Sequence, residues 1–316
     1  MPISFPKISE EQRIRRLLPP SGKVNMVLDT DTFNEIDDQF AIVYTLLSKD
    51  KIDLQAIYAA PFFNHLSKSA KDGMDKSYDE MIRILHKMNV PDEGFAFRGS
   101  ESFLPSADRP VDSPAVRDLI TRAMAAPDDE PLYVVAIGAI TNVASAILLE
   151  PRIIEKIVVV WLGGHRLDWR HTKEFNLKQD VLAAQILFDC GVPLVLVPCT
   201  GVASHLLTTL PEVERYVKGK GAIGDFLAER YEACSSDHFG YSRVIWDISV
   251  IAWLVNPASV PTALVHSPIL TDQVTWSHDT SRHLIRCADY VHRDAIFKDF
   301  FRKLEQYAIT ASQAAQ

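Results

Sequence analysis

Short runs of consecutive apolar residues alternate along this chain with longer segments of helical periodicity. Five apolar runs predict strands, at residues 24–28, 54–59, 132–137, 157–162 and 193–197. Segments of helical length lie between or beside them, at residues 38–48, 74–88, 112–125, 141–149 and 180–190. Continuous apolar runs are typical of strands that are buried on both faces of a parallel sheet. The pattern therefore predicts an α/β fold with one open, mostly parallel sheet flanked by helices and a Rossmann-like core.

The chain divides into a short N-terminal extension and one domain. In residues 1–23, Ser9 and Gln12 form a capping-box pattern that predicts a short helix, which Pro19-Pro20 would end. No linker or change in composition interrupts residues 24–316, so they are predicted to form a single domain. A G-x-G-x-x-G match at residues 219–224 follows a helical segment instead of a strand, so it does not indicate dinucleotide binding.

Composition and charge exclude several kinds of partner. The formal net charge of −8 leaves no basic field for nucleic acid. Polar residues interrupt the longest apolar stretch, 132–149, so we expect no membrane-spanning segment. The start of the chain lacks the pattern of a signal peptide, and the four cysteines form no C-x-x-C pair. We therefore expect a cytoplasmic protein with free, buried thiols.

A dense group of acidic residues follows the first predicted strand. Asp29, Asp31, Glu35, Asp37 and Asp38 fall within ten residues. Their like charges repel one another, and the carboxyl ends of parallel strands are where ligands bind, so a bound cation would compensate the charges. Because the group contains no Cys or His, its donors suit Ca²⁺ or Mg²⁺ better than Zn²⁺.

The same segment allows a second interpretation. The letters VLDTDT fit the apolar strand and D-x-D-x-T of haloacid-dehalogenase-like phosphatases, with Asp29 as the nucleophile and Asp31 as the acid/base. That chemistry also needs a later phosphate-binding Lys and a distant acidic pair. Neither occurs at a convincing strand end, so phosphoryl transfer is kept only as an alternative.

Residues 29–41, DTDTFNEIDDQFA, resemble the D-x-D-P-G-x-D-D-x-x-A signature of the calcium-dependent nucleoside hydrolases. Residues 32–35 replace the Pro-Gly element of that signature. Further similar blocks follow in the family's order: AIGAITNVASAILLEPRI from residue 136, WLGG with KEFN and DVLAA from residue 161, and Trp246-Asp247. The resemblance spans residues 24–257 and implies a nucleoside hydrolase-like catalytic domain in residues 24–316.

The resemblance implies a Ca²⁺ site and a general base. Asp31, Asp38 and Asp247 would bind the ion through their carboxylates, and the backbone carbonyl of Ile137 would add a neutral ligand. Asp37 would take a proton from the attacking water. Asp29 is expected to order the loop by hydrogen bonding.

The ribose hydroxyls would be held by another set of side chains. Glu174 and Asn176 of KEFN match the family's ribose-binding residues. Asn64 matches the Asn that follows the second strand, and Asp168 aligns loosely with a further ribose-binding position.

The leaving-group side departs from the family pattern. Trp246 stands where the family commonly has His, and an indole N–H cannot act as a general acid at neutral pH. Trp246 could instead stack on a base or simply pack. Other candidates for the leaving-group side are His238, Tyr241 and His165.

These expectations combine into one predicted function. The chain would use Ca²⁺ to hydrolyse the N-glycosidic bond of a ribonucleoside, giving ribose and a free base, as in purine and pyrimidine salvage. The implied partner is a small-molecule riboside, and the family suggests a homodimer or homotetramer. Two alternatives remain open: a hydrolase of a modified or non-nucleoside riboside, and a non-catalytic Ca²⁺-dependent ribose-binding protein. A pure binder would not need Asp37.

Overall fold

The computed structural model describes residues 4–314. Residues 1–3 of the predicted extension and residues 315–316 of the predicted domain lie outside this range. The strands are β1 (Val24–Thr30), β2 (Ile52–Ala59), β3 (Ala96–Arg98), β4 (Leu132–Ala136), β5 (Ile157–Leu162), β6 (Leu194–Val197), β7 (Leu207–Thr208), β8 (Arg243–Val244), β9 (Thr262–His266), β10 (Ile269–Leu270), β11 (Trp276–Ser277) and β12 (Leu284–Ala288).

Helices connect most of these strands. They are α1 (Glu10–Arg16), α2 (Asp37–Leu47), α3 (Ala70–Lys87), α4 (Pro114–Ala125), α5 (Thr141–Leu149), α6 (Phe175–Gln179), α7 (Val181–Asp189), α8 (Leu210–Tyr216), α9 (Gly221–Ala233), α10 (Ile248–Val255) and α11 (Arg293–Ala314). Among residues 4–314, no helix combines the length and apolar character that crossing a bilayer requires.

Eight of the strands form the central sheet, in the order β3-β2-β1-β4-β5-β6-β12-β9. Neighbouring strands are parallel except for β9, which runs antiparallel to β12 at one edge. The predicted α/β class with a mostly parallel sheet is confirmed. The sequence pattern missed β3, β9 and β12. Strand β3 is short, β9 has no fully buried position, and β12 has only half-buried and buried positions and contains a charged residue.

The sheet separates two apolar layers. In β5, Val158 and Val160 face the layer that contains α2, α3, α9, α10 and α11, whereas Val159 and Trp161 face the layer of α4, α5 and α7. Side chains of a strand alternate between its two faces, so a strand covered on both sides must be apolar throughout. This burial explains the continuous apolar runs in the sequence.

The N-terminal extension packs against the domain. The Ser9 hydroxyl accepts a hydrogen bond from the backbone N–H of Gln12 at 3.2 Å, as the capping pattern predicts. Arg13 donates to the carbonyl of Gly191 at 2.7 Å, and Arg16 donates to that of Asp128 at 3.2 Å. The extension is thus anchored at the end of the sheet from which β1 starts.

The structure also gives the positions of the four cysteines and of the G-x-G-x-x-G match. Cys190, Cys199 and Cys287 are buried free thiols, whereas Cys234 is only half-buried. The G-x-G-x-x-G match lies between α8 and α9 and enters α9, away from any strand end of the central sheet. Neither feature supplies a redox or dinucleotide site.

Candidate active site

Two helix N-termini bring the acidic residues together. Strand β1 ends at Thr30, Asp31 follows it directly, and α2 begins at Asp37. Asp247 immediately precedes α10, which packs against α2. The positive end of a helix dipole favours negative charge, so both helices stabilise carboxylates at this position.

The carboxylates form a buried cluster. One oxygen each from Asp37, Asp38 and Asp247 lies within 4.8 Å of the other two. Both carboxylate oxygens of Asp31, and one of Asp37, are buried without a hydrogen-bond partner among the described residues. Buried charges without partners are costly. A cation among the converging oxygens of Asp37, Asp38 and Asp247 would offset their charge, so this oxygen-only donor set fits a hard metal ion.

Burial is the largest influence on these acids, and it raises the pKa of each one. The pKa of Asp38 rises to about 7 even though the Thr30 hydroxyl donates to it. Asp31, Asp37 and Asp247 also have pKa values well above the ordinary value, because the like charges of the cluster add to the effect of burial. The electrostatic cost of ionising the cluster is what a bound cation would offset.

Asp29 is held by a residue that the sequence reasoning did not single out. Asn142 donates from Nδ2 to Oδ1 of Asp29 at 2.7 Å and to the carbonyl of Ala59 at 3.2 Å. Its Oδ1 accepts from the backbone N–H of Ser100 at 2.8 Å. Burial raises the pKa of Asp29 to about 7, and the Asn142 hydrogen bond opposes that rise. Asn142 belongs to the block AIGAITNVASAILLEPRI, which resembles the nucleoside hydrolase family. That resemblance is the sequence feature that could have identified Asn142 as a site residue.

Glu174 and Asn176 are fixed at the start of α6. Glu174 caps this helix by accepting from the backbone N–H groups of Asn176 and Leu177 at 2.8 and 3.0 Å, and from Gly164 at 2.8 Å. Burial raises the pKa of Glu174, and these three hydrogen bonds oppose the rise. Asn176 donates from Nδ2 to the carbonyl of Ile137 at 3.1 Å. A carbonyl has two lone pairs, so that of Ile137 can still serve a cation.

One pocket unites most of the predicted site residues. Those that line it are Asp31, Asp37, Asp38, Ile137, His165, Glu174, Asn176, Trp246 and Asp247. Residues that the sequence did not assign to the site also line it: Asn34, Glu35, Leu162, Lys173, Phe175, Cys199 and Thr200. Most of these lie beside predicted residues in the loops after β1, β5 and β6, so position along the chain was the only signal for them.

The family model for inosine-uridine preferring nucleoside hydrolases matches residues 26–298. The chain belongs to this family. It is accordingly an N-ribosyl hydrolase, and this assignment supports neither the phosphatase nor the non-catalytic interpretation.

Curated relatives with low sequence identity to this chain are also ribonucleoside hydrolases. The pyrimidine-specific ribonucleoside hydrolase RihA of Klebsiella pneumoniae is 25% identical over 258 residues, covering 73% of this chain and 79% of the relative. The non-specific ribonucleoside hydrolase RihC of Salmonella schwarzengrund is 26% identical over 255 residues, covering 75% and 80%.

Solved structures show the same fold. A purine-preferring ribonucleoside hydrolase from Gardnerella vaginalis superposes with a TM-score of 0.69 at 22% identity, covering 90% of this chain and 99% of that one. An inosine-uridine preferring nucleoside hydrolase from Bacillus anthracis gives 0.67 at 17% identity with the same coverage. The central sheet and its helices are therefore those of a nucleoside hydrolase.

Two predicted ribose-binding residues of this nucleoside hydrolase lie outside the pocket lining. Asn64 donates from Nδ2 to Oδ1 of Asn34 at 2.7 Å, so it borders a lining residue without reaching the cavity itself. Asp168 is exposed and binds the guanidinium of Arg166 at 3.0 and 3.1 Å. A role of Asp168 in ribose binding therefore stays a prediction.

The three candidates for the leaving-group side also separate. His238 contacts the carbonyl of Glu232 through Nε2 at 2.9 Å, and the ring of Tyr241 lies 5.5 Å from that of His238. Neither residue lines the pocket, because the turn that carries them packs on the end of α9. Only His165 of the three lines the pocket.

An ion pair lies close to Asp37. Arg243, in β8, donates to Glu35 at 2.8 Å. The positive charge of Arg243 opposes the rise in the pKa of Asp37 that burial, Glu35 and Asp38 produce. Arg243 thus connects the short β7-β8 ribbon to the loop after β1.

Proposed function

We propose that this enzyme hydrolyses the N-glycosidic bond of a ribonucleoside with the help of Ca²⁺, giving ribose and a free base. The buried carboxylate cluster, with its unpartnered oxygens, is the observation that carries the proposal. The cluster lies in one pocket with the residues proposed to hold the ribose. The names of the relatives, which include pyrimidine-specific and non-specific ribonucleoside hydrolases, support a ribonucleoside as the substrate.

The ion would be held by Asp31, Asp38, Asp247 and the carbonyl of Ile137. An oxygen-only donor set of this kind suits Ca²⁺, which prefers six to eight oxygen ligands. When bound, Ca²⁺ supplies Lewis-acid polarisation of a water molecule and an anchor for vicinal hydroxyl groups. The buried, unpartnered oxygens of Asp31 support this assignment.

Asp37 is proposed as the general base. It takes a proton from the attacking water as the C1′–N bond breaks. Glu174 and Asn176 hold ribose hydroxyls, and such contacts strengthen as the sugar approaches an oxocarbenium-like transition state. Three backbone N–H groups fix the Glu174 carboxylate, so little reorganisation accompanies substrate binding.

The leaving-group side supports a second candidate substrate. Trp246 lines the pocket where the family commonly has His, which favours a modified or non-nucleoside riboside over an ordinary nucleoside. We expect a homodimer or homotetramer in the cytoplasm, and a small-molecule riboside as the partner.

Release of reducing sugar tests the proposal. Inosine, uridine, cytidine, adenosine and p-nitrophenyl riboside are incubated with native protein, with chelated protein, and with chelated protein resupplied with Ca²⁺ or Mg²⁺. Asp37→Asn is compared with Asp129→Asn, a matched substitution at an exposed position before β4. The aryl riboside is the most informative substrate, because its leaving group needs no proton.

We expect Ca²⁺ to restore activity to the chelated protein and Mg²⁺ to restore less. Asp37→Asn should lose about 10²- to 10⁴-fold in kcat, the usual contribution of a general base, whereas Asp129→Asn should match the native protein. No release from any of the ribosides by folded, calcium-loaded protein would contradict the proposed hydrolysis. Equal activity of both variants would remove Asp37 from its role.

A further inference from the structure

Two aromatic side chains contribute to the wall of the pocket. Trp246 and Phe175 both line the pocket and are half-buried. Trp246 also packs against the apolar layer that contains α2 and α10. Flat aromatic surfaces of this kind bind heteroaromatic rings by offset or edge-to-face stacking. This wall is therefore suited to an aromatic base.

His165, the histidine of the pocket lining, is not a good proton donor at neutral pH. His165 is fixed through its backbone, whose N–H donates to the Thr172 hydroxyl at 2.8 Å and whose carbonyl accepts from Trp276 at 3.1 Å. Its Nδ1 is buried without a partner among the described residues. Burial and the neighbouring His171 lower the pKa of His165, so the ring is neutral at pH 7.

Cys199, which also lines the pocket, does not replace a donor. Burial raises the pKa of the Cys199 thiol well above its ordinary value, which makes it a weak acid. Lys173 contributes a positive charge to the pocket lining. A neutral base leaving from C1′ would consequently depart without efficient protonation.

The pocket has an excess of negative charge. Its carboxyl groups are those of Asp31, Glu35, Asp37, Asp38, Glu174 and Asp247. The opposing groups are the ammonium of Lys173, which lines the pocket, and the guanidinium of Arg243, which pairs with Glu35 at 2.8 Å. With a divalent cation counted as well, the six formal negative charges of these carboxyl groups exceed the four formal positive charges. Such a field favours a positively charged ligand.

Building on the proposed hydrolysis, we infer that the preferred substrates are ribosides of permanently cationic nitrogen heterocycles, such as N-ribosylpyridinium compounds or N7-alkylated purine ribosides. When water adds to C1′ and the C1′–N bond breaks, the electron pair of that bond moves to the ring nitrogen and cancels its positive charge. The base leaves neutral, the water oxygen stays on the ribose, and its proton passes to Asp37.

This substrate class matches each feature of the pocket. A base that leaves neutral requires no general acid, which explains how Trp246 can stand where the family commonly has His. The positive ring is attracted by the carboxylate excess and by the face of an aromatic side chain through a cation–π interaction. A neutral nucleoside gains neither advantage.

The matched pair 7-methylguanosine and guanosine tests the inference at a mildly acidic pH, where N1 of 7-methylguanosine keeps its proton and the two differ by one methyl group and one positive charge. Nicotinamide riboside is a second cationic substrate, and p-nitrophenyl riboside is a neutral reference with a good leaving group. Rates are corrected for hydrolysis in buffer and for the chelated enzyme. We expect kcat/KM to be at least tenfold higher for 7-methylguanosine than for guanosine, and KM for the cationic substrates to lie below that for the aryl riboside.

Variants of Trp246 distinguish a role in binding the cationic ring from a purely structural role of this side chain. Trp246→Leu should raise KM for the cationic substrates about tenfold and change KM for p-nitrophenyl riboside much less, whereas Trp246→Phe should retain most of the selectivity. Trp169→Leu, an exposed position outside the pocket, is the matched control and should behave like the native enzyme.

Equal hydrolysis of guanosine and 7-methylguanosine would overturn the inference, as would an equal effect of Trp246→Leu on cationic and neutral substrates. If p-nitrophenyl riboside is cleaved in an Asp37-dependent manner without preference for cationic ribosides, the substrate class is wrong and the proposed hydrolysis stands. Release from none of the ribosides would overturn both.

Discussion

Replacing Asp37 by Asn should stabilise the metal-free protein while it inactivates the enzyme. The change keeps the shape of the side chain and removes one negative charge from the cluster. One Asp37 oxygen lies within 4.8 Å of oxygens of Asp38 and Asp247, and two unit charges at that distance repel by about 3.5 kcal/mol at an effective dielectric constant of about 20. Protonation of the cluster relieves much of this repulsion, so we expect a net gain of about 1–3 kcal/mol, or roughly 2–6 °C in Tm for a chain of this size.

The stability gain should depend on pH in a defined direction. Burial and like charges raise the pKa of Asp37 in the folded state, so the native protein binds the proton more tightly than the unfolded chain does. The resulting penalty is absent below the unfolded pKa of about 4 and grows as pH rises through the folded value. Asp38, with a pKa of about 7, titrates in the same range. The difference in Tm between variant and native protein should therefore widen from pH 4 to pH 7 and above.

Thermal unfolding followed by circular dichroism measures this effect. Native protein, Asp37→Asn and the control Asp129→Asn are compared in chelator at pH 5, 6, 7 and 8, and again with Ca²⁺. Calcium should raise the Tm of the native protein more than that of Asp37→Asn, because the variant has less repulsion for the ion to relieve. An unchanged or lower Tm for Asp37→Asn in chelator at pH 8 would refute the charge-repulsion argument.

Three further substitutions test other parts of the structure. Asn142→Ala should destabilise the protein by about 2–4 kcal/mol in urea unfolding, because it leaves an oxygen of Asp29 and two backbone groups buried without partners; a loss below 1 kcal/mol would contradict this. Arg243→Gln should move the acid limb of the kcat/KM profile to higher pH, since the positive charge that lowers the pKa of Asp37 is lost; an unmoved limb would exclude that coupling. Arg13→Ala should lower Tm by a few degrees without changing kcat, because it removes a buried hydrogen bond that anchors α1; a reduced kcat would show that the extension acts on the pocket.

Local sequence determined the sheet strands that are buried on both faces. The run that forms β5 is apolar at every position, and the structure gives the predicted bounds, Ile157–Leu162. A strand that is covered on both faces needs apolar residues at every position. Its apolar run can therefore be recognised from the sequence without knowing which strands lie beside it. The edge strand β9 has partly exposed positions, and its pairing with β12 depends on contacts that are distant along the chain.

The sequence also determined where the acidic residues after β1 lie in the fold. The chain order alone places Asp31 directly after a strand, and Asp37 and Asp38 at the start of the helix that follows, at the edge of a parallel sheet where ligands bind. That placement depends only on residues that are close together along the chain, so the sequence is sufficient to predict it.

Only the tertiary structure decided which distant residues share the pocket. Asp247 meets Asp37 and Asp38 because α10 packs against α2. His165 lines the cavity while Asp168, three residues later, turns outward to Arg166. The direction of a loop side chain depends on the packing beneath the loop, and that packing is set by the whole fold and not by the neighbouring letters. The same packing excludes water from the carboxylates and so produces the raised pKa values and the need for a compensating cation.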